Sequence, residues 1–449
     1  YLRFGMRIIR SLITLTFLIQ VSFSFAENGN LPSQIECRNV HESWLTFAFD
    51  LTKNTVGFSA PVSARAYAYL SITSYESTVE VYGDLQSLSG QLNGYTRSKW
   101  ASKKERKKLN WPIVANAADK YMIDYLYRGM PPSFKEKTDR HFDSLRDFYA
   151  LGSKDKMVNL SMEYGRMIAQ EILNWSKTDL GDEGYLNNFP EDFVPAECNM
   201  CWTKTTPGYL PSLVPHWGDN RRLIEGDFRL VESCKPVNVN LDEEGWIYKD
   251  AMEIYQLNYN ENKDLEIIAE YWNDAPGYSG TPAGHLFCLA IQVSKNSRVS
   301  ASEAMELYVK LGISLNEASV NSWKLKYTYN LLRPITVIHR MIDNRFNTII
   351  DSPPFPEFPS GHSFQSGAAN AVFNSIFGEN YSFIDSTMLY RRDIVNTPRN
   401  FKSFNDMGEE ISISRLYGGI HYRTTLDESL KYGRILGQYI VSEIKCRKE

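Results

Sequence analysis

Two basic side chains in the last third of the sequence are spaced so that they can act together on an anion. Lys326 and Arg333 lie seven positions apart, close to two turns of an α-helix, so both cations fall on one helical face. Pro334 follows directly and places Arg333 at a kink or at the end of a helix. Two cations on one helical face more often belong to a solvent-exposed surface, so an anion-binding role depends on the segments that follow.

A second segment, Pro359-Ser360-Gly361-His362, stands just ahead of an apolar helical stretch from Ser363 to Phe377. The start of a helix presents free backbone N–H groups and the positive pole of the helix dipole, which together favour an anion. His362 adds a side chain that can give or take a proton near neutral pH. The alternative is an ordinary helix cap with a surface histidine.

A third segment joins an arginine and a histidine across a pair of glycines. It begins at Ser414, and Gly418 and Gly419 are expected to break the helix that carries Arg415. Arg415 and His421 would then point into one space from either side of a turn. A simple helix–turn–helix connection is the alternative.

The order of these segments resembles the signature of the vanadium haloperoxidase and type 2 phosphatidic acid phosphatase superfamily, written K-x6-R-P, P-S-G-H and S-R-x5-H-x3-D. Residues 269–285 and 353–362 are also similar to segments of soluble bacterial haloperoxidase-like proteins. The chain is therefore identified as a soluble, bacterial-type member of the vanadium-dependent haloperoxidase family.

The resemblance implies a single site for vanadate or phosphate. The residues implied as its oxyanion ligands are Lys326, Arg333, Ser360, Gly361 and Arg415. The resemblance also implies His421 as the axial ligand of vanadium and His362 as the acid or base on the opposite side. With vanadate the site would activate peroxide through a Lewis acid, whereas with phosphate His421 would be a nucleophile.

The sequence departs from the family signature at its last position. The family pattern expects aspartate four places after the histidine, and here that position is Thr425. Asp427 does not fit without a shift. The run from Thr425 to Glu428 has the form of a capping box ahead of the apolar stretch Leu426–Ile444, which predicts that Thr425 caps the last helix.

Three functions are compatible with these residues. The first is a vanadate-dependent haloperoxidase that oxidises halide with hydrogen peroxide to hypohalous acid. The second is a soluble, secreted acid phosphatase that acts on a phosphate ester with a histidine nucleophile. The third is an inactive oxyanion-binding relative, suggested by Thr425. The length of 449 residues favours the first, because soluble acid phosphatases of the superfamily are generally much shorter.

Long segments with helical periodicity and few alternating ones predict a mainly α fold. We expect two packed helical bundles in one domain, with the active site in the C-terminal bundle. The domain is predicted to span residues 27–449 and its phosphatase-like catalytic bundle residues 300–445. Residues 176–245, rich in proline and cysteine, are expected to form an irregular connection. Family likeness places His285 near the mouth of the site.

The bulk composition is that of a globular protein, with 43% hydrophobic and 23% charged residues. The net charge of -4 gives no support to a nucleic-acid partner. The first residues are typical of a signal peptide, with a start at Met6, a basic region, the apolar stretch Ile13–Phe25 and cleavage after Ala26. We therefore expect a secreted or periplasmic protein without a membrane span.

Six cysteines remain after that cleavage, an even number that permits disulfides in an exported protein. The pair Cys198 and Cys201 is a weak indication of a metal site, because no second pair or paired histidines complete it. A structural disulfide within the region from Cys198 to Cys234 is the better interpretation, and its connectivity cannot be read from the sequence.

Overall fold

Helices make up nearly all the regular structure of the computed structural model, which describes residues 32–98, 102–226, 228–259, 262–395 and 397–449. The expected signal peptide, residues 1–26, lies outside the described residues. None of the helices in the described ranges is long and apolar enough to cross a membrane.

The helices, in chain order, are α1 (Pro32–Asn54), α2 (Ala60–Thr78), α3 (Lys103–Arg106), α4 (Trp111–Leu126), α5 (Pro132–Ala150), α6 (Asp155–Ser176), α7 (Arg229–Glu232), α8 (Trp246–Tyr259), α9 (Lys263–Tyr271), α10 (Thr281–Asn296), α11 (Ala301–Tyr329), α12 (Pro334–Met341), α13 (Gly361–Phe377), α14 (Phe404–Tyr417) and α15 (Arg423–Glu443). Short 3₁₀ turns cover Val79–Val81 and Trp217–Asp219. The strands β1 (Phe383–Asp385) and β2 (Arg399–Phe401) form an antiparallel pair.

The helices pack as two bundles. In the first, α4 lies against α1, α2, α5 and α6, whereas in the second α13 lies against α11, α14 and α15. Helices α10 and α11 pack against members of both bundles and join them. The predicted mainly α fold with two packed bundles is thus confirmed.

Helix α11 is the central element, and its ends follow from its sequence. Ser300 caps its start, accepting a hydrogen bond from the Glu303 N–H while the Glu303 carboxylate accepts one from the Ser300 N–H. The helix ends at Asn330, which has the left-handed conformation with φ of 45°. Because α11 packs on both bundles, it is buried around almost its whole circumference. Its last turn carries Lys326 into the interior.

Close packing of α13 on α15 depends on glycine. A Cβ atom at Gly367 would lie 2.5 Å from the Leu430 carbonyl oxygen, and one at Gly433 would lie 2.3 Å from the Phe364 carbonyl oxygen. No side chain fits at these distances, so the two backbones are in direct contact. The start of α13, with His362, is thereby held against the start of α15.

The irregular segment after α6 supports the site from outside. Its disulfide joins Cys198 to Cys201, within the region where the sequence predicts one. The Trp202 N–H donates to the Asn330 carbonyl at 2.7 Å, and Cys201 pairs as a β-bridge with the chain just before Arg333. The disulfide loop thus fixes the short connection between α11 and α12.

Candidate active site

Lys326 is fully buried at the end of α11 and holds the loop that precedes α13. Its ammonium group donates to the carbonyl oxygens of Pro356 and Glu357, at 3.1 Å each, and to that of Pro359. Burial and the charge of Arg333 lower the pKa of Lys326 well below its ordinary value, although Glu357 opposes them. Because three carbonyls accept its protons, Lys326 supplies charge and loop geometry here rather than a free donor.

Arg333 is also fully buried, at the N-cap of α12. Its guanidinium donates to the Phe355 carbonyl at 3.0 Å, to the Ile420 carbonyl at 2.8 Å and to Nε2 of His421 at 3.1 Å. Burial lowers its pKa to about 10, with Glu357 acting in the opposite direction. The guanidinium of Arg333 therefore contacts Nε2 of His421 directly.

The start of α13 presents a hydroxyl and backbone N–H groups to the site. Ser360 is its N-cap, and its Oγ accepts hydrogen bonds from the Ser363 N–H at 3.3 Å and the Ser363 hydroxyl at 2.9 Å. The Ser360 N–H donates to the Ser429 hydroxyl. A Cβ atom at Gly361 would lie 3.4 Å from the Trp323 ring. With both acceptor positions of Ser360 used, its own hydroxyl proton is left to donate.

His362, the second residue of α13, is partly exposed at the surface of the site. Burial and the charges of Arg415 and Lys326 lower its pKa well below the ordinary value, and a backbone hydrogen bond with Asn273 acts in the opposite direction. Its Nε2 atom is buried and has no hydrogen-bond partner. An orphaned imidazole nitrogen of this kind is a position where a ligand atom would bind.

Arg415 enters the site from the end of α14. Its Nη1 donates to the Trp272 carbonyl at 3.0 Å, whereas its Nε is buried without a partner. Burial lowers the pKa of Arg415 to about 9, a change that Asp274 opposes and Arg333 reinforces. This guanidinium therefore has a donor directed at no group of the protein.

His421 is held in one tautomer between a carboxylate and a cation. Its Nδ1 lies 2.8 Å from Oε1 of Glu357, and its Nε2 lies 3.1 Å from Nη1 of Arg333. Since arginine can only donate, Nε2 must accept, and the proton must stand on Nδ1. Burial, followed by the charges of Arg333, Lys326 and Arg415, lowers the pKa of His421 well below its ordinary value. The imidazole is thus neutral, with a lone pair on Nε2.

The structure brings all of the sequence-predicted site residues into one region at the meeting of α11, α13 and α14 with the loops that adjoin them. These residues are Lys326, Arg333, Ser360, Gly361, His362, Arg415 and His421. Several of them also bind other groups of the protein, since Lys326, Arg333 and Arg415 donate to backbone carbonyls and Ser360 caps a helix. Among the described residues, no group of three or more His, Cys, Asp or Glu could hold a metal cation.

The prediction that Thr425 caps the last helix is wrong. The N-cap of α15 is Tyr422, without a side-chain cap, and the helix begins at Arg423. Thr425 is fully buried one turn into the helix, and its hydroxyl donates to Oε2 of Glu357 at 2.9 Å. The hydroxyl of Thr425 therefore donates to a buried carboxylate, a charge-assisted hydrogen bond, instead of accepting from an N–H group at the start of the helix.

A second carboxylate network lies behind Arg415. His285 is completely buried, with Nδ1 2.9 Å from Asp274 and Nε2 3.2 Å from Asp385. Its ring stacks on that of Trp272, whose carbonyl accepts from Arg415. The expectation that His285 lies near the mouth of the site is wrong, since it is completely buried. Asp274 and Glu357 lie in the segments 269–285 and 353–362 that resemble haloperoxidase-like proteins, but no spacing or motif gave them or Asp385 a role.

The His285 network predicts a pH-dependent stability. Burial alone would lower the pKa of His285, but Asp274 and Asp385 outweigh it and raise the pKa from 6.5 to about 10. The stabilisation is therefore complete below pH 6.5 and is lost as the pH rises towards 10. We expect urea denaturation to give a free-energy difference between wild type and His285→Gln that shrinks across this range. A difference that stays constant with pH would contradict a charged His285.

The excess of buried positive charge in the site favours the binding of an anion. Lys326, Arg333 and Arg415 are buried, and each has a lowered pKa. The charge of the Glu357 carboxylate acts on Lys326 and Arg333, and that of Asp274, which is shared with His285, acts on Arg415. Burying unpaired cations is costly, so an oxyanion would relieve the imbalance. The orphaned N–H of Arg415 fits an oxygen of vanadate or phosphate, and the orphaned Nε2 of the neutral His362 can accept from a protonated oxygen.

Comparison with known proteins agrees with this geometry. Residues 340–447 match the family model described as the second helical-bundle domain of VCPO. The crystal structure of a bacterial vanadium-dependent iodoperoxidase is similar over 92% of this chain and 97% of its own, with a TM-score of 0.80 and 28% identity. Among curated proteins, the sequence has no match.

Two further structures show the same fold at lower identity. The holo form of a bacterial vanadium-dependent chloroperoxidase has a TM-score of 0.65 and 15% identity, over 87% of this chain and 93% of its own. The apo form has a TM-score of 0.62 and 16% identity, over 85% and 92%. The family model over residues 340–447 and the similarity to the iodoperoxidase support the assignment of this chain to the vanadium haloperoxidase family.

Proposed function

We propose that the protein is a vanadate-dependent haloperoxidase that oxidises halide with hydrogen peroxide to hypohalous acid. The observation that carries the proposal is the group of three buried cations beside the Nε2 lone pair of a neutral His421. Such a group suits a tetrahedral oxyanion with several negative oxygens. The similarity to a bacterial vanadium-dependent iodoperoxidase favours vanadate over a phosphate ester as the bound group.

Each part of the site has a task in this proposal. Arg333 and Arg415 bind and neutralise the oxygens, and the Ser360 hydroxyl with the Gly361 N–H adds neutral hydrogen bonds. Lys326 adds positive charge and keeps the loop before α13 in place. Nε2 of His421 is the ligand for vanadium. When bound, vanadate would supply a Lewis acid that makes peroxide electrophilic towards halide.

His362 is the group best placed to move a proton. Its lowered pKa keeps it neutral near pH 7, so it can accept a proton from incoming peroxide. The orphaned Nε2 is the atom that we assign to this transfer.

A direct assay separates this function from its alternatives. The protein, stripped with EDTA, is assayed with peroxide and iodide, bromide or chloride, before and after addition of orthovanadate. We expect halide oxidation only after vanadate is added. The stripped protein is also assayed with p-nitrophenyl phosphate. Hydrolysis without halide oxidation would establish a phosphatase, and neither activity despite vanadate binding would establish an inactive oxyanion-binding relative.

A further inference from the structure

Glu357 places a carboxylate beside His421, in a chain that has Thr425 where the family signature has an aspartate. The signature places that aspartate four residues after the histidine, at the position of Thr425. Here the carboxylate beside Nδ1 of His421 comes instead from the loop before α13, 64 residues away in sequence. The hydroxyl of Thr425 lies 2.9 Å from that same carboxylate. The two positions are therefore neighbours in space, and one carboxylate fills the region between them.

The carboxylate of Glu357 is fixed by several donors. Oε1 accepts from Nδ1 of His421 and from the Tyr422 N–H at 3.1 Å, and Oε2 accepts from Thr425. The Glu357 backbone is held too, since its N–H donates to the Leu331 carbonyl at 2.8 Å. The side chain is completely buried. A carboxylate so constrained can hold the imidazole ring of His421 in one orientation, because neither side chain can rotate away.

We propose that Glu357 is the positioning residue of His421, and that Glu357 and Thr425 together replace the family aspartate. By accepting the Nδ1 proton, Glu357 leaves the lone pair on Nε2 and directs it at the cations that receive the oxyanion. Thr425 acts through Glu357, since its hydroxyl holds the carboxylate oxygen that faces away from the histidine. The inference rests on the proposed function only for the identity of the bound oxyanion.

A swap of the carboxylate between the two positions tests this arrangement. Glu357→Gln keeps the shape of the side chain, and we expect it to weaken orthovanadate binding to the stripped protein by about 10- to 100-fold. Thr425→Asp alone sets two carboxylates side by side and is expected to weaken binding as well. In the double variant Glu357→Gln with Thr425→Asp, one carboxylate is restored beside His421. We expect its affinity to return most of the way to that of wild type.

The controls separate positioning from a general loss of structure. Glu253→Gln removes a carboxylate of α8 that pairs with Arg423 at the start of α15, outside the site, and should leave vanadate affinity unchanged. Thermal unfolding of each variant is followed in parallel. Should Glu357→Gln fail to fold, Thr425→Val removes the donor to Glu357 at nearly constant volume and is expected to weaken binding by a smaller factor.

A readout without any ligand tests the tautomer directly. In wild type labelled with ¹⁵N-histidine, we expect the His421 signal, assigned by its loss in His421→Gln, to be that of an Nδ1-protonated neutral ring. In Glu357→Gln we expect this preference to weaken, because the amide can either accept or donate. A folded Glu357→Gln variant with wild-type affinity and tautomer, or a double variant whose losses simply add, would overturn the proposal. Wild type that binds vanadate without oxidising halide would overturn the proposed function alone.

Discussion

Replacing His421 by alanine is expected to abolish tight vanadate binding and, with it, halide oxidation. The neutral Nε2 of His421 lies 3.1 Å from Arg333, and the charges of Lys326 and Arg415 also act on its ring. Changing the partner of a metal-binding histidine typically weakens metal affinity by about 10- to 100-fold, so removing the histidine itself should exceed about 100-fold. Equilibrium binding of orthovanadate to the stripped protein measures the loss.

The alanine variant also leaves Glu357 buried without its imidazole partner, which destabilises the fold. His421→Gln is therefore the companion variant, because its amide can still donate to Glu357 while lacking a basic nitrogen. His339 is the matched control, since its Nε2 is bonded to the Phe346 carbonyl and has no contact with the site. Tight vanadate binding by a folded His421→Gln variant would remove the basis for His421 as the ligand of vanadium.

The motif residues could be predicted from the sequence because their types, spacing and chain order match a known signature. The prediction that Lys326 and Arg333 share one helical face is wrong, since α11 ends at Asn330 and Arg333 is the N-cap of α12, whereas the start of α13 at Ser360 and Gly361 follows from capping chemistry. The hydrogen-bond partners of each side chain could not be predicted from the sequence spacing. Lys326 has a family role as an oxyanion ligand, yet in the structure three loop carbonyls accept its protons.

Glu357 could not be found from the sequence for a related reason. It stands in a proline-rich loop without periodicity, and its contact with His421 spans 64 residues. The absence of a local sequence signal for this long-range contact also explains the wrong prediction at Thr425. A Thr-x-x-Glu pattern is a sound local signal for a helix start, but it contains nothing about a carboxylate that arrives from another loop. Tertiary hydrogen bonding decided the outcome in both cases.

Arg415 offers the second large effect, because it carries the clearest unsatisfied donor in the site. Its Nη1 is bound to the Trp272 carbonyl, whereas its Nε is buried and without a partner. An oxyanion oxygen at that Nε would form a charge-assisted hydrogen bond worth about 1.5–3 kcal/mol, or roughly 10- to 150-fold in affinity. We expect Arg415→Ala to lose at least this factor in orthovanadate binding, since it also removes a charge.

Arg415→Lys separates the charge from the geometry. Lysine keeps the positive charge, but its single ammonium cannot hold the Trp272 carbonyl and also donate from the position of Nε. We therefore expect a vanadate affinity closer to that of Arg415→Ala than to wild type, with thermal stability less affected than in the alanine variant. Arg423→Ala is the control, because Arg423 pairs with Glu253 outside the site. If Arg415→Lys bound vanadate as tightly as wild type, charge alone would be what this position supplies, and the orphaned Nε would lose its assigned role.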